Sequence, residues 1–236
     1  MSNYLITGAS SDIVKAFVNK HVWQSQDNII AQFNSHEPDY MPENTNLIQA
    51  DFSQDISTKN FIEKIQALNF VPEYVLHAPA GKIFNMRFNE LTWENFQTQI
   101  NIQVRSFMKI ISCVIKKMAR QKFGRVVVIL SSYVLNVPPK FLADYVTAKY
   151  ALTGLIKSLA SEYAHKNIYF NMISPSMVQT KFLNNIYEGV IQNSAKNNPS
   201  GRNVNVNDLA GVIEFLLSGA DFITGSNIPV TGGEIF

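Results

Sequence analysis

Short apolar runs rich in β-branched residues recur along this chain, and most are followed by a stretch with helical periodicity. The barest of them, Val126-Val127-Val128-Ile129-Leu130, has no polar face. A strand built from it must be covered on both sides. Strand patterns fall at about 3–7, 28–33, 46–50, 74–77, 125–130, 168–173 and 227–230. Helical patterns fall at about 12–21, 57–68, 92–118, 142–164 and 207–217. This alternation predicts an α/β fold, a Rossmann-like doubly wound parallel sheet with helices on both faces. The 236 residues suit a single domain spanning 1–236. The stretch Gln192 to Asn205, rich in Asn, Ser, Pro and Gly, reads as a mobile loop inside that domain, because the alternation resumes after it.

Composition narrows the function classes. Net charge is +2 with both signs scattered, and no basic block points to nucleic acid. No apolar run reaches membrane-spanning length. The first strand pattern begins by residue 3, which leaves no room for a signal peptide and makes the cytoplasm the default location. Cys113, the one cysteine, lies in an apolar helical stretch and cannot form an internal disulfide. No cluster has metal-ligand spacing, and His77 at a strand end reads as structural, so no metal is expected.

Chemistry concentrates in the second half. Tyr145 and Lys149 are four apart in a helical stretch, so both side chains share one face. Ser132 follows the Val126–Leu130 strand, thirteen residues before the tyrosine. A strand end and a helix face can thus bring a hydroxyl, a phenol and an ammonium to one carbonyl oxygen. A tyrosine titrates near 10, and a cation close by would favour its phenolate. The same residues singly fit plainer roles: a surface Tyr–Lys pair, and a strand-end serine with Ser131 as its competitor.

At the other end, Thr7-Gly8-Ala9-Ser10-Ser11-Asp12-Ile13-Val14 occupies the first strand-to-helix turn. In open α/β sheets that turn faces the ligand crevice, and helix N–H groups there can hold a pyrophosphate. These motifs, with Asn101, Ala78-Pro79-Ala80-Gly81, Pro175-Ser176 and Val230-Thr231-Gly232-Gly233 in order along the chain, resemble the classical short-chain dehydrogenase/reductase family.

The resemblance implies a nicotinamide-dependent enzyme acting on a small-molecule carbonyl or alcohol. Tyr145 becomes the acid/base, Lys149 its cation and a ribose ligand, Ser132 the holder of substrate oxygen, and Asn101 the anchor of a water path. Gly8, Ser10, Ser11, Asp12 and Ile13 would line the pyrophosphate. Asp51 would meet adenine with Phe52 beside the ring, and Ala80 and Gly81 would line the cofactor. Pro175, Val178 and Thr180 would meet the nicotinamide. Three family glycines are replaced, by Asp12, Val14 and Ser176. Asp12 can cap the following helix but also sets a carboxylate by the pyrophosphate. Val14 adds bulk where helix and strand pack closely.

The second strand ends in Asn34-Ser35-His36, with no acidic residue for a ribose 2′-hydroxyl. This favours NADP(H) over NAD(H), with Glu37 as the counter-reading. Residues of about 182–203, opening with Phe182, Leu183, Ile186 and Tyr187, read as a substrate lid or as a helix packed on the core. Tyr133, Val134, Leu135, Phe141, Phe84 and Met86 could line the pocket. The nearest flavour resembles 3-oxoacyl-(acyl carrier protein) reductases. A secondary-alcohol or sugar dehydrogenase is the enzymatic alternative, and a weakly active dinucleotide-binding scaffold the other. A homotetramer or homodimer is implied, with the helices from about Thr92 and Leu142 pairing and Ile235-Phe236 packing across an interface.

Overall fold

The computed structural model describes residues 1–234. Ile235 and Phe236, expected at an interface, lie outside the described residues. Seven strands form one parallel sheet: β1 (Asn3–Thr7), β2 (Asn28–Phe33), β3 (Thr45–Gln49), β4 (Tyr74–His77), β5 (Gly124–Ile129), β6 (Ile168–Pro175) and β7 (Asn227–Val230). Their order is β3-β2-β1-β4-β5-β6-β7. The chain winds outward from β1 to β3, then returns to pair β4 on the other side of β1, with Thr7 opposite His77. That reversal opens a crevice at the carboxyl ends of β1 and β4.

The seven helices are α1 (Asp12–Lys20), α2 (Asp55–Ala67), α3 (Trp93–Gln99), α4 (Ser106–Gln121), α5 (Ala143–Tyr163), α6 (Glu188–Asn197) and α7 (Val206–Glu214). Alternate strand residues divide between two cores, as period-2 geometry requires. Leu5, Ile30, Val75, Val126, Val128 and Phe170 pack under α2, α4 and α5. Tyr4, Ile6, Ile29, Leu76, Val127 and Ile173 pack under α1 and α7. The apolar run of β5 therefore serves both layers.

Two features were not legible in the pattern. The helix expected over 92–118 contains a π-type stretch, Ile100–Arg105, where the Ser106 N–H bonds back to the Asn101 carbonyl. Periodicity cannot distinguish this from plain helix over so few residues. The loop expected from Gln192 is also corrected: α6 runs on to Asn197, and only then does the Asn-Pro-Ser-Gly segment turn back. The Asn203 amide donates to the Ile191 carbonyl, and the Asn198 amide donates to Thr231 O. Their amides fix the segment to its neighbours, which composition alone does not reveal.

Val14 is fully buried beside Ile6 and Phe17. It is core filler, and α1 sits on the sheet with a valine where the family has glycine. Restoring glycine by Val14→Gly would remove three buried carbons and add backbone freedom. We expect a loss of roughly 3 kcal/mol, read as a fall in Tm of about 6–12 °C by calorimetry.

Candidate active site

The crevice is lined first by the β1–α1 turn. Gly8 has φ +73°, and a Cβ there would lie 2.9 Å from Ala78 C and Pro79 N. Only glycine allows β1 and the end of β4 to approach so closely. The Gly8 N–H donates to Gln32 Oε1 at 2.9 Å, and Gln32 Nε2 donates to Ala50 O at 2.6 Å. Gln32 thus ties three strand ends together. Sequence reasoning passed over it, although one polar side chain within Ile29-Ile30-Ala31-Gln32-Phe33 was the available signal.

Ser11, not Asp12, caps α1: its hydroxyl accepts the Val14 N–H at 3.2 Å. The capping role expected of Asp12 is corrected, because its carboxylate accepts the Lys181 N–H at 2.7 Å instead. Ser10 Oγ donates to His36 O at 2.8 Å, and the Tyr40 hydroxyl donates to Ala9 O. The turn is therefore braced by the β2–β3 loop. The N–H groups of Asp12 and Ile13 head α1 and have no carbonyl to reach within it.

Asn34, Ser35 and His36 are exposed beyond β2, with Ser35 Oγ and His36 Nδ1 2.9 Å apart. Asp51 Oδ1 accepts the Ser53 N–H and so closes its own turn. Phe52 is buried against Phe61, so its ring is not available to an adenine, and its carbonyl accepts from Arg105 at 3.1 Å. Gly81 packs against Gln99, where a Cβ would meet Oε1 at 2.6 Å, and Ala80 beside it is exposed. Pro175 ends β6, and Val178 pairs with Val204 across the base of the 182–203 excursion. Thr180 lines a cleft of about 430 Å³ with Leu183, Ile186 and Ile191. No catalytic candidate lines that cleft.

At the chemical end, Lys149 is 2% exposed, and its Nζ donates to Ile129 O at 2.8 Å. It lies 5.6 Å from the centre of the Tyr145 ring. Desolvation lowers the lysine from its ordinary 10.5 to about 7. Burial raises Tyr145 above its ordinary value, opposed by the Ser131 hydroxyl and reinforced by Tyr133. The expectation of a phenol drawn down by the lysine is thus corrected, since desolvation is the largest effect on Tyr145.

Ser132 Oγ is buried and has no hydrogen-bond partner. Ser131 Oγ accepts the Tyr133 N–H at 3.3 Å. Asn101 donates to Ser53 O at 3.1 Å rather than to a group beside Lys149. It therefore joins the π-type stretch to the β3–α2 loop. Tyr145, Leu142 and Val146 form a small core of their own with Ile83 and Tyr133. Of the other pocket candidates, Val134 is buried, Phe84 and Phe141 are exposed, and the Met86 N–H donates to Phe141 O. A buried polar pair adjoins this site, and His77 has the structural role expected of it. His77 Nδ1 lies 2.8 Å from Thr7 Oγ1, and burial first, then the Lys149 charge, lowers it to about 3.

A glycine-tight turn with free helix N–H groups, a lone buried hydroxyl and a desolvated lysine fit a dinucleotide and a polar substrate atom. Together the sheet, its switch point and this constellation define a nicotinamide-dependent oxidoreductase. A family model described as enoyl-(acyl carrier protein) reductase matches residues 30–234. The chain belongs to the short-chain dehydrogenase/reductase family, and its reaction class is NAD(P)-dependent carbonyl reduction.

The chain is 26% identical to a 3-oxoacyl-[acyl-carrier-protein] reductase of Escherichia coli strain K12, over 97% of this chain and 95% of that protein. It is 29% identical to the reductase of that name from Buchnera aphidicola, over 76% and 74%. Among solved structures it matches a 4-hydroxyisoleucine dehydrogenase complexed with NADH at TM-score 0.83 and 26% identity, covering 99% and 98%. Among the described residues no group of three His, Cys, Asp or Glu could hold a metal, and no helix is long and apolar enough to cross a membrane.

The lowered lysine carries a pH signature. Between about 7 and 10.5 the unfolded chain holds a proton on this lysine that the folded chain does not, so stability rises with pH across that window. Lys149→Met removes the desolvated ammonium. We expect it to raise Tm near pH 7 by a few degrees, with the gap to wild type shrinking toward pH 10, while turnover is lost. A lower Tm for the variant at pH 7 would contradict the assignment.

Proposed function

We propose that this enzyme reduces a 3-oxoacyl thioester or a similar ketone to the secondary alcohol, with NADPH as the preferred reductant. The buried Ser132–Tyr145–Lys149 constellation carries this reading. Pro175, Val178 and Thr180 would hold a nicotinamide, which would supply the hydride when bound. Ser132 Oγ, buried without a partner, donates to the substrate oxygen and polarises the carbonyl. Tyr145, held protonated by burial, passes its proton to that oxygen as negative charge develops. Lys149, poised near neutrality, is the cation beside the phenolate left behind and the nearest reservoir for its re-protonation.

The preference for NADPH follows from the end of β2. Asn34, Ser35 and His36 offer hydrogen-bonding groups to a 2′-phosphate and no carboxylate to repel it. The substrate class draws on the curated relatives, which are 3-oxoacyl reductases, whereas the family model carries the name of an enoyl reductase. A substrate screen should therefore offer both a 3-oxoacyl and a 2-enoyl thioester. The 16% charged residues and a single free cysteine suit the cytoplasm.

The test joins binding to turnover. Titration with NADPH and NADH, followed by nicotinamide fluorescence, should show tighter NADPH binding. Tyr145→Phe should lower turnover about 10²–10⁴-fold and leave that binding within a factor of about two. Equal turnover in the variant would remove Tyr145 from the chemistry and favour a binding scaffold.

We also propose a homotetramer paired through α4 and α5. Met108 on α4 and Tyr150 on α5 are 47% and 44% exposed, large side chains on faces that a partner would cover. Light scattering at micromolar protein should give four times the chain mass. A monomer would refute it.

A further inference from the structure

Asp12 stands where the family has a glycine, and it does not serve the helix it opens. Ser11 caps α1, so the aspartate is free to act elsewhere. Its Oδ2 accepts the backbone N–H of Lys181, 169 positions along the chain, at 2.7 Å. Lys181 begins the tight turn Lys181–Asn185 at the root of the 182–203 segment. The residue before it, Thr180, makes no side-chain cap, and its hydroxyl points to Val178 O. The turn therefore takes its cap from the start of α1, next to the turn read as the phosphate site.

The charge makes this costly and useful at once. A carboxylate beside a pyrophosphate repels it. The same carboxylate makes a charge-assisted hydrogen bond, stronger than a neutral one, to the N–H that starts a helical turn. We propose that Asp12 is a positioning residue, a latch that fastens the root of the lid to the dinucleotide turn at the expense of phosphate affinity. The inference rests on reading the β1–α1 turn as the pyrophosphate site and 182–203 as the lid. It assigns to Asp12 a role in substrate placement that a glycine cannot perform.

A latch and a merely structural residue differ in sign. Asp12→Ala loses both the acceptor and the charge. NADPH should then bind more tightly, by roughly threefold to tenfold, while KM for a 3-oxobutanoyl thioester rises about tenfold and kcat changes less. Asp12→Asn keeps an acceptor oxygen and loses only the charge. It should share the tighter NADPH binding but keep KM within about threefold of wild type. Trypsin cleavage after Lys181 and Lys196, measured without cofactor, should be about tenfold faster in the alanine variant and near wild type in the asparagine variant.

Unchanged cleavage in Asp12→Ala would overturn the latch. So would NADPH affinity and KM worsening together with a lower Tm, which is the pattern of simple structural damage. The cleavage comparison needs neither NADPH nor substrate. If wild type binds no dinucleotide, the proposed function fails while the latch is still decided.

Discussion

The close approach of Gly8 to the Ala78–Pro79 peptide sets the terms for the rest of the site. Without a Cβ in the way, the ends of β1 and β4 meet at the point where the strand order reverses. Thr7 can then reach His77, and the Gly8 N–H can reach Gln32 from β2. The crevice is the space left when strands that must be adjacent send their chains to opposite sides. Two other glycines of the family are replaced here: Val14 is fully buried in the core under α1, and the Asp12 carboxylate accepts the Lys181 N–H.

The chemical end depends on a different constraint, the exclusion of water. A lysine with its ammonium on a strand carbonyl and a phenol packed among Leu142, Val146 and Tyr133 are both kept from solvent. Burial moves their pKa values in opposite directions, the lysine down and the tyrosine up, and so favours the neutral form of both. The pair rests with its proton on the phenol, which suits donation to a carbonyl oxygen. Spacing along a helix could bring these groups together but could not say which electrostatic effect would prevail.

Much of the fold was legible because it depends on repetition. β2, β4 and β7 fall on the residues that the pattern marks, since an apolar run bounded by turn residues has little else to become. The placement of Ser132 after β5 and of Tyr145 and Lys149 on α5 was legible for a related reason, since strand and helix are both recognisable. What escaped depends on single contacts between distant residues. Asn101 lies in a π-type turn and faces Ser53. Phe52 turns into the core. Gln32 and Tyr40 hold the crevice through bonds to residues that are remote in sequence. α6 was hidden because its Asn and Ser content is shared by the true turn that follows it.

The pairing of Val178 with Val204 bears on how such a scaffold diversifies. The Gln179 N–H donates to Val204 O and the Val204 N–H to Met177 O, so the two ends of the excursion are stitched together at its base. Between them lie the Lys181–Asn185 turn and α6 and no strand of the sheet. Insertions or deletions inside the excursion leave the sheet in place so long as Thr180 and the ties from Lys181 to Asp12 and from Asn198 to Thr231 are kept. Substrate range can therefore drift by replacing one module, while the sheet and the reaction it supports stay the same.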